Sequence, residues 1–309
     1  MRYLVTGGAG FIGSHTVDEL VRRGQDVVVL DNVSTGKTAN LAVAQGKIRF
    51  IQATVTNLEA VREACHGVDC VIHLAAQTSV PRSVIDPIET NTINVNGTLN
   101  VLEASRESKV KRVVFACSCA VYGKPTTLPI CEDAALAPMS PYGLSKQIGE
   151  AYGRQYQELY GLEFVSLRYF NVYGPRQDPG SPYSGVLSLF SAALLGGTQP
   201  TVYGDGEQSR DFVYVEDVVQ ANVRASEAKS APGRSFNVGT GGRHTLNQTL
   251  ALLEKITGRA ARAKYAAPRE GDIRDSQADI RRARETLEFI PKVKFEEGLR
   301  RTWDWFAAT

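Results

Sequence analysis

The chain has 309 residues, more than one hydrophobic core usually serves, so one large α/β unit with a smaller lobe is expected. Its 35 basic and 33 acidic side chains leave a net charge of +2, which excludes the basic field of a nucleic-acid binder. With 43% hydrophobic and 22% charged residues and no run near the roughly 20 apolar residues that span a bilayer, the composition is globular and not that of a membrane protein.

The opening RYLVT is broken by glycine too soon to be a signal segment, so a cytoplasmic location is expected. YLVTG, DVVVLD, KIRFIQ, CVIHLA, RVVFAC and FVSLRYF are the expected strands, and residues 12–23, 58–65, 87–108 and 142–160 the expected helices. This alternation predicts βαβ units and a doubly wound parallel sheet of the Rossmann type. In the helix after Asp86, Ile88, Asn91, Val95, Leu99 and Leu102 fall in one mostly apolar stripe. Such a stripe is core, or a face for a second subunit. After Asn171 the sequence turns rich in glycine and proline, which predicts a loop-rich substrate lobe. The expected division is 1–170 for a nucleotide-binding domain and 171–309 for that lobe, with segments near 210–240 returning to the first.

The five cysteines, Cys65, Cys70, Cys117, Cys119 and Cys131, are an odd set without CxxC spacing. They read as reduced thiols, and no metal site is expected.

Chemistry enters at the first turn. In GGAGFIG, Gly7, Gly10 and Gly13 recur every third residue between a strand and an apolar helix. Glycine there permits a tight turn and brings a pyrophosphate to the backbone at a helix N-terminus. The second strand ends in Asp31, followed by Asn32. A carboxylate at that place accepts from both adenosine ribose hydroxyls and repels an added phosphate, so NAD is expected rather than NADP. Further on, YGLSK sets Tyr142 and Lys146 four residues apart, on one helix face. An ammonium near a phenol favours the phenolate and so prepares a general base. The strand RVVFAC before it runs into Ser118, at the carboxyl end of the sheet where open α/β folds bind ligands.

The motifs TGGAGFIGS, DNVSTG, HLAAQTSVPRS, NVNGT, SCAVYG, SPYGLSK, RYFNVYGP, GDGEQSRDFVYVEDV and PREGD occur in the order seen in extended short-chain dehydrogenase/reductases. Over nearly its whole length the chain resembles the UDP-glucose 4-epimerase group. The resemblance implies bound NAD, lined by Phe11, Ile12, Thr54, Val55, Leu74, Ala75, Ala76, Gln77, Asn94 and Tyr169 beside the glycines and Asp31. It implies that Tyr142 is the base, that Lys146 holds the nicotinamide ribose, and that Ser118 shares the substrate hydroxyl with Tyr142. Asn171, Val186, Tyr203, Arg210, Arg269, Asp272 and Ser276 are implied to meet a UDP-sugar, with Arg210 and Arg269 on the diphosphate. A homodimer through two long helices is also implied.

Three positions refine this. The related dehydratases follow their catalytic threonine with an Asp-Glu pair, and this chain has Cys119 and Ala120, which cannot eliminate water as an acid-base pair. Thr54 stands where the family usually has an aspartate for the adenine amino group, so weaker cofactor binding is expected. Ser276 is small at the position that gates the sugar pocket, so room for an N-acetyl group is expected. The activity implied is epimerisation at carbon 4 of a UDP-hexose through a 4-keto intermediate. The alternatives are a UDP-glucuronate 4-epimerase or decarboxylase, a 4-keto-sugar reductase, and a non-catalytic NAD-sensing protein.

Overall fold

The computed structural model describes residues 1–178, 185–268 and 273–308. Its first half contains β1 (Arg2–Thr6), α1 (Phe11–Arg22), β2 (Asp26–Asp31), β3 (Ile48–Gln52), α2 (Leu58–Cys65) and β4 (Cys70–His73). There follow α3 (Val80–Ile85), α4 (Pro87–Asn91), α5 (Gly97–Glu107), β5 (Arg112–Ser118), α6 (Pro141–Tyr160) and β6 (Glu163–Tyr169). The second half adds β7 (Asn171–Tyr173), α7 (Val186–Leu195), β8 (Thr201–Tyr203), β9 (Ser209–Arg210), β10 (Phe212–Tyr214), α8 (Val215–Glu227) and β11 (Ser235–Val238). It ends with β12 (His244–Thr245), α9 (Leu246–Thr257), β13 (Lys264–Ala266), α10 (Arg281–Leu287) and α11 (Phe295–Ala308).

Seven parallel strands form the central sheet in the order β11-β6-β5-β4-β1-β2-β3, the doubly wound arrangement the sequence predicts. Strand residues such as Leu4, Val28, Val71, Val113 and Val165 are fully or almost fully buried because helices cover both faces. The order reverses between β1 and β4, so a crevice opens at their carboxyl ends.

Two elements depart from the sequence reading. The helix expected over 87–108 is interrupted by a π turn at Thr92–Asn96, and α3 precedes it. The wider turn shifts the apolar stripe out of phase. Ile88 and Asn91 are exposed while Val95 and Leu102 are buried. In the second half, the described stretches of the glycine- and proline-rich segments are largely loop, with α7, α8, α9, α10 and α11 between them. These helices are not among those expected from the sequence. Thr245 and Gln248 start α9 with a reciprocal capping box, a local signal of the kind that marks a helix N-terminus.

Helix α6 carries the YGLSK motif and is fixed at both ends. Ser140 accepts from the Gly143 N–H, Pro141 occupies its first turn, and Gly161 closes it in the left-handed conformation. Two glycines set its height over the sheet. A Cβ on Gly149 would come within 2.7 Å of the Phe115 ring, and one on Gly153 would overlap the Phe164 ring. The helix therefore lies closer to β5 and β6 than any side chain would allow. Among the described residues no helix is long and apolar enough to cross a membrane.

Candidate active site

The turn from β1 to α1 packs onto the end of β4. Gly7 has a φ of +70°, and a Cβ on it would sit 2.8 Å from the Ala75 nitrogen. One on Gly13 would collide with the Gly7 carbonyl. Gly10 caps α1 with no side-chain acceptor, so no capping side chain competes for the first-turn N–H groups of Phe11, Ile12 and Gly13. Asp31, buried at the end of β2, accepts from the Ala9 N–H at 2.9 Å and the Val33 N–H at 2.7 Å. Val33 has a φ of 58°, a costly conformation for a β-branched residue, and in it the N–H reaches Asp31. One bond on each oxygen leaves acceptor capacity for ribose hydroxyls, so the residues fit an NAD adenosine.

The rest of the expected cofactor lining surrounds this turn. Asn32 is exposed and its side chain accepts from the Ser34 N–H at 3.1 Å. The Thr54 hydroxyl is engaged locally, with Thr56 Oγ1 at 3.0 Å and the Thr56 N–H at 3.3 Å. Val55 is buried, and its carbonyl accepts from Asn100 Nδ2 at 3.0 Å. Leu74, Ala75 and Ala76 are half-buried just past β4. Gln77 is buried, its amide donating to Thr90 Oγ1 at 3.0 Å and to the Ser79 carbonyl at 3.2 Å.

Ser118 ends β5 and is the cross-strand partner of Tyr169 on β6. Its hydroxyl accepts from the Ala120 N–H at 3.1 Å, and Tyr142 lies on the first turn of α6, the helix packed over β5. Lys146, one turn later and buried, donates from Nζ to the Ala116 carbonyl at 2.8 Å. That ammonium stands 5.1 Å from the Phe115 ring centre and 6.0 Å from that of Tyr142. From sequence, the nearby ammonium is expected to lower the phenol's pKa. In the structure burial dominates: it pushes the Tyr142 phenol above its ordinary value, with the nearby Ser118 hydroxyl opposing. Burial also pulls Lys146 down to about 8. Tyr169 is buried, its hydroxyl bonded to Asn222 Oδ1 at 2.5 Å.

The substrate side is stitched from distant segments. Asn171 Nδ2 donates to the Asp211 carbonyl at 3.2 Å and to Ser276 Oγ at 3.3 Å. Arg210, on β9, donates to the carbonyls of Ser209 at 2.9 Å and Arg274 at 3.2 Å. Burial pushes the Cys119 thiol up to about 11, and the Arg210 guanidinium opposes it. Its neighbour Asp211 is fully buried and accepts from Thr240 N, Thr240 Oγ1, Gly241 N and Ala278 N. These four bonds offset the burial that raises its carboxyl pKa. Ser276 is buried and its N–H donates to the Ser209 carbonyl at 3.1 Å. Val186 opens α7 and Tyr203 ends β8, both half-buried. Arg269 and Asp272 lie outside the described residues.

Two buried networks escaped the sequence reading. Asn94 is bonded to Gln77 twice and donates to Ser145 Oγ at 2.9 Å, which donates to the Tyr142 carbonyl at 2.7 Å. Behind it, His73 joins Thr6 Oγ1 at 2.7 Å to Thr98 Oγ1 at 3.1 Å. Under α6, the buried pair Glu150 and Arg168 makes bonds of 3.0 and 2.6 Å, and Arg168 extends to Tyr122 and the Glu132 carbonyl, each at 2.9 Å. The available signals were a histidine ending an apolar strand and an arginine inside FVSLRYF.

Residues 3–239 match the model of the NAD dependent epimerase/dehydratase family. A putative UDP-glucose 4-epimerase from Methanocaldococcus jannaschii is 42% identical over 98% of this chain and 97% of its own. A UDP-glucose 4-epimerase from Thermotoga maritima, solved with UDP-glucose, superposes with a TM-score of 0.95 at 42% identity, covering 100% of this chain and 99% of its own. A UDP-N-acetylglucosamine 4-epimerase from Methanobrevibacter ruminantium M1, solved with UDP-N-acetylmuramic acid, gives 0.95 at 39% identity, covering 99% and 98%.

Proposed function

The chain belongs to the NAD dependent epimerase/dehydratase family, and from that premise we propose that it interconverts the carbon-4 epimers of a UDP-hexose. The observation that carries this is the placement of Ser118 at the carboxyl end of β5 with Tyr142 and the buried Lys146 on the first turns of α6, the helix packed over that strand. Tyr142 takes the proton of the sugar's carbon-4 hydroxyl and Ser118 holds that hydroxyl. Lys146 supplies positive charge behind the phenol and holds the nicotinamide ribose. NAD, held by Gly7, Gly10, Gly13 and Asp31, supplies the hydride chemistry when bound. The 4-keto sugar turns over between the two half-reactions, so the chain must hold its UDP end while the ring rotates.

That hold falls to the lobe of residues 171–309. Arg210 and Arg269 grip the diphosphate and Asn171 meets its oxygens. Asp272 accepts from the uridine ribose, with Tyr203 and Val186 at the uracil. Cys119 and Ala120 provide no acid-base pair, which argues against dehydration. Ser276, whose hydroxyl accepts from Asn171, is small, and its size at this position supports a substrate bearing an N-acetyl group. The substrates proposed are therefore UDP-glucose and UDP-galactose together with their N-acetylamino counterparts. The exposed Val84 (63%), Ile85 (74%) and Ile88 (78%) of α3 and α4, with Leu144 (49%) on the neighbouring α6, form the face on which a second copy would close a dimer.

The test is incubation with UDP-galactose, UDP-N-acetylgalactosamine and UDP-glucuronate, without added cofactor, and separation of the products. The first two are expected to convert. No conversion of any ends the reading, and conversion of UDP-glucuronate alone replaces it with the uronate epimerase. Ser276→Tyr should cut N-acetyl conversion by at least about tenfold while sparing UDP-galactose, since a bulky side chain competes for the same space. Equal loss on both would refute the gate.

A further inference from the structure

The hydroxyl of Thr98 donates its one proton to the Asn94 carbonyl at 2.6 Å. Towards His73 it can therefore only accept, so the proton sits on His73 Nε2. The hydroxyl of Thr6 accepts from the Leu74 and Ala75 N–H groups at 3.2 and 3.3 Å, and its own proton goes to His73 Nδ1. Every proton in this buried chain has one place. A protonated ring would put a second hydrogen against Thr6, beside the buried Lys146 charge. Burial and Lys146 together hold the imidazole down to about 3, so it stays neutral. The faces around it offer Thr6 from β1, Phe115 from β5, Thr98 from α5 and the Lys146 charge from α6.

From Thr98 the chain continues through Asn94 and Ser145 to the Tyr142 carbonyl. Its other end, Thr6, adjoins Gly7. We propose that His73 is a positioning residue that sets the catalytic helix against the glycine turn, so that Tyr142 and the dinucleotide held by that turn keep their mutual distance. The proposal rests on the epimerase reading for its kinetic consequence only. A misplacement well under the length of a hydrogen bond is enough to slow an oriented reaction, while binding contacts made elsewhere persist.

The experiment compares His73→Phe, which fills the space and removes both bonds, with His73→Gln and His73→Asn. A glutamine amide can place its nitrogen near the Nε2 position and keep the Thr98 arm. An asparagine reaches only the Nδ1 position and the Thr6 arm. His73→Phe should lower kcat for UDP-galactose by at least about tenfold, leaving KM and the NAD dissociation constant within about threefold. His73→Gln should recover most of that loss and His73→Asn little of it. Thr98→Val, of nearly equal volume, should repeat the phenylalanine result and stands in for it if that variant does not fold. Without any sugar, the Tyr142 ring-carbon resonance of the NAD-bound protein should move in the phenylalanine and asparagine variants and return in the glutamine one. A kcat within threefold of wild type in folded His73→Phe, equal recovery by asparagine, or an unmoved Tyr142 resonance each overturns the proposal. A wild-type protein inert towards every UDP-hexose overturns the epimerase reading instead, and the resonance then decides His73 by itself.

Discussion

In the proposed reaction Lys146 carries a pH dependence whose sign differs for rate and for stability. Burial brings the ammonium from its ordinary 10.5 to about 8, so its charge is present below pH 8 and lost above. Turnover that relies on this charge should fall as pH rises through about 8, and Lys146→Met should flatten that limb at a rate lower by about 10²–10⁴. The unfolded chain keeps the same proton up to about 10.5, so between about 8 and 10.5 the unfolded state binds more protons and stability rises with pH. Below pH 8 the burial cost is present in full. Chemical denaturation across that window should show wild type gaining stability relative to Lys146→Met while it loses activity; parallel curves would refute the shift. At Thr54, the hydroxyl is spent on Thr56. Thr54→Asp should tighten NAD by about three- to tenfold in a calorimetric titration, through one new charge-assisted bond to the adenine amino group. The types of these residues were readable from the motifs. The phenol's raised pKa was not, because desolvation depends on everything packed around Tyr142 and outweighs one nearby ammonium.

Among the elements, α6 carries the proposed base Tyr142 and Lys146, and its glycines set its height over the sheet. In Gly153→Ala the added methyl overlaps Phe164, a buried ring that cannot step aside, so unfolding should become easier by about 1–3 kcal/mol, read from the denaturant midpoint. Gly149→Ala presses on Phe115 one turn from Lys146 and should lower kcat more for the same loss of stability. Equal kinetic effects would show that helix height does not reach the site. The buried Glu150–Arg168 pair locks the same helix to β6 and, through Tyr122 and Asn237, to β11. Helix spacing alone predicted α6 within one residue at its start, since the caps Ser140 and Gly161 are local. It missed the π turn at Thr92–Asn96, because a periodicity argument assumes 3.6 residues per turn throughout.

For the whole molecule, the exposed face of α3 and α4 yields the test of assembly. Ile88→Glu places a charge in an apolar face that a dimer would bury, and sedimentation should change from dimer to monomer with activity per chain as the second readout. A wild-type monomer would remove the dimer proposal. By itself the sequence determined the strand-helix alternation, the glycine turn between β1 and α1, Asp31 at the end of the second strand, and Tyr142 and Lys146 on one helix face, because each is written in local spacing that fixes its geometry. Tertiary structure alone decided how these pieces are held together. The bonds Thr6–His73, His73–Thr98 and Asn94–Ser145 join residues separated by 67, 25 and 51 positions. Asn171 meets Ser276 across 105. Only folding brings such partners within hydrogen-bond distance, and only burial gives each bond one possible direction.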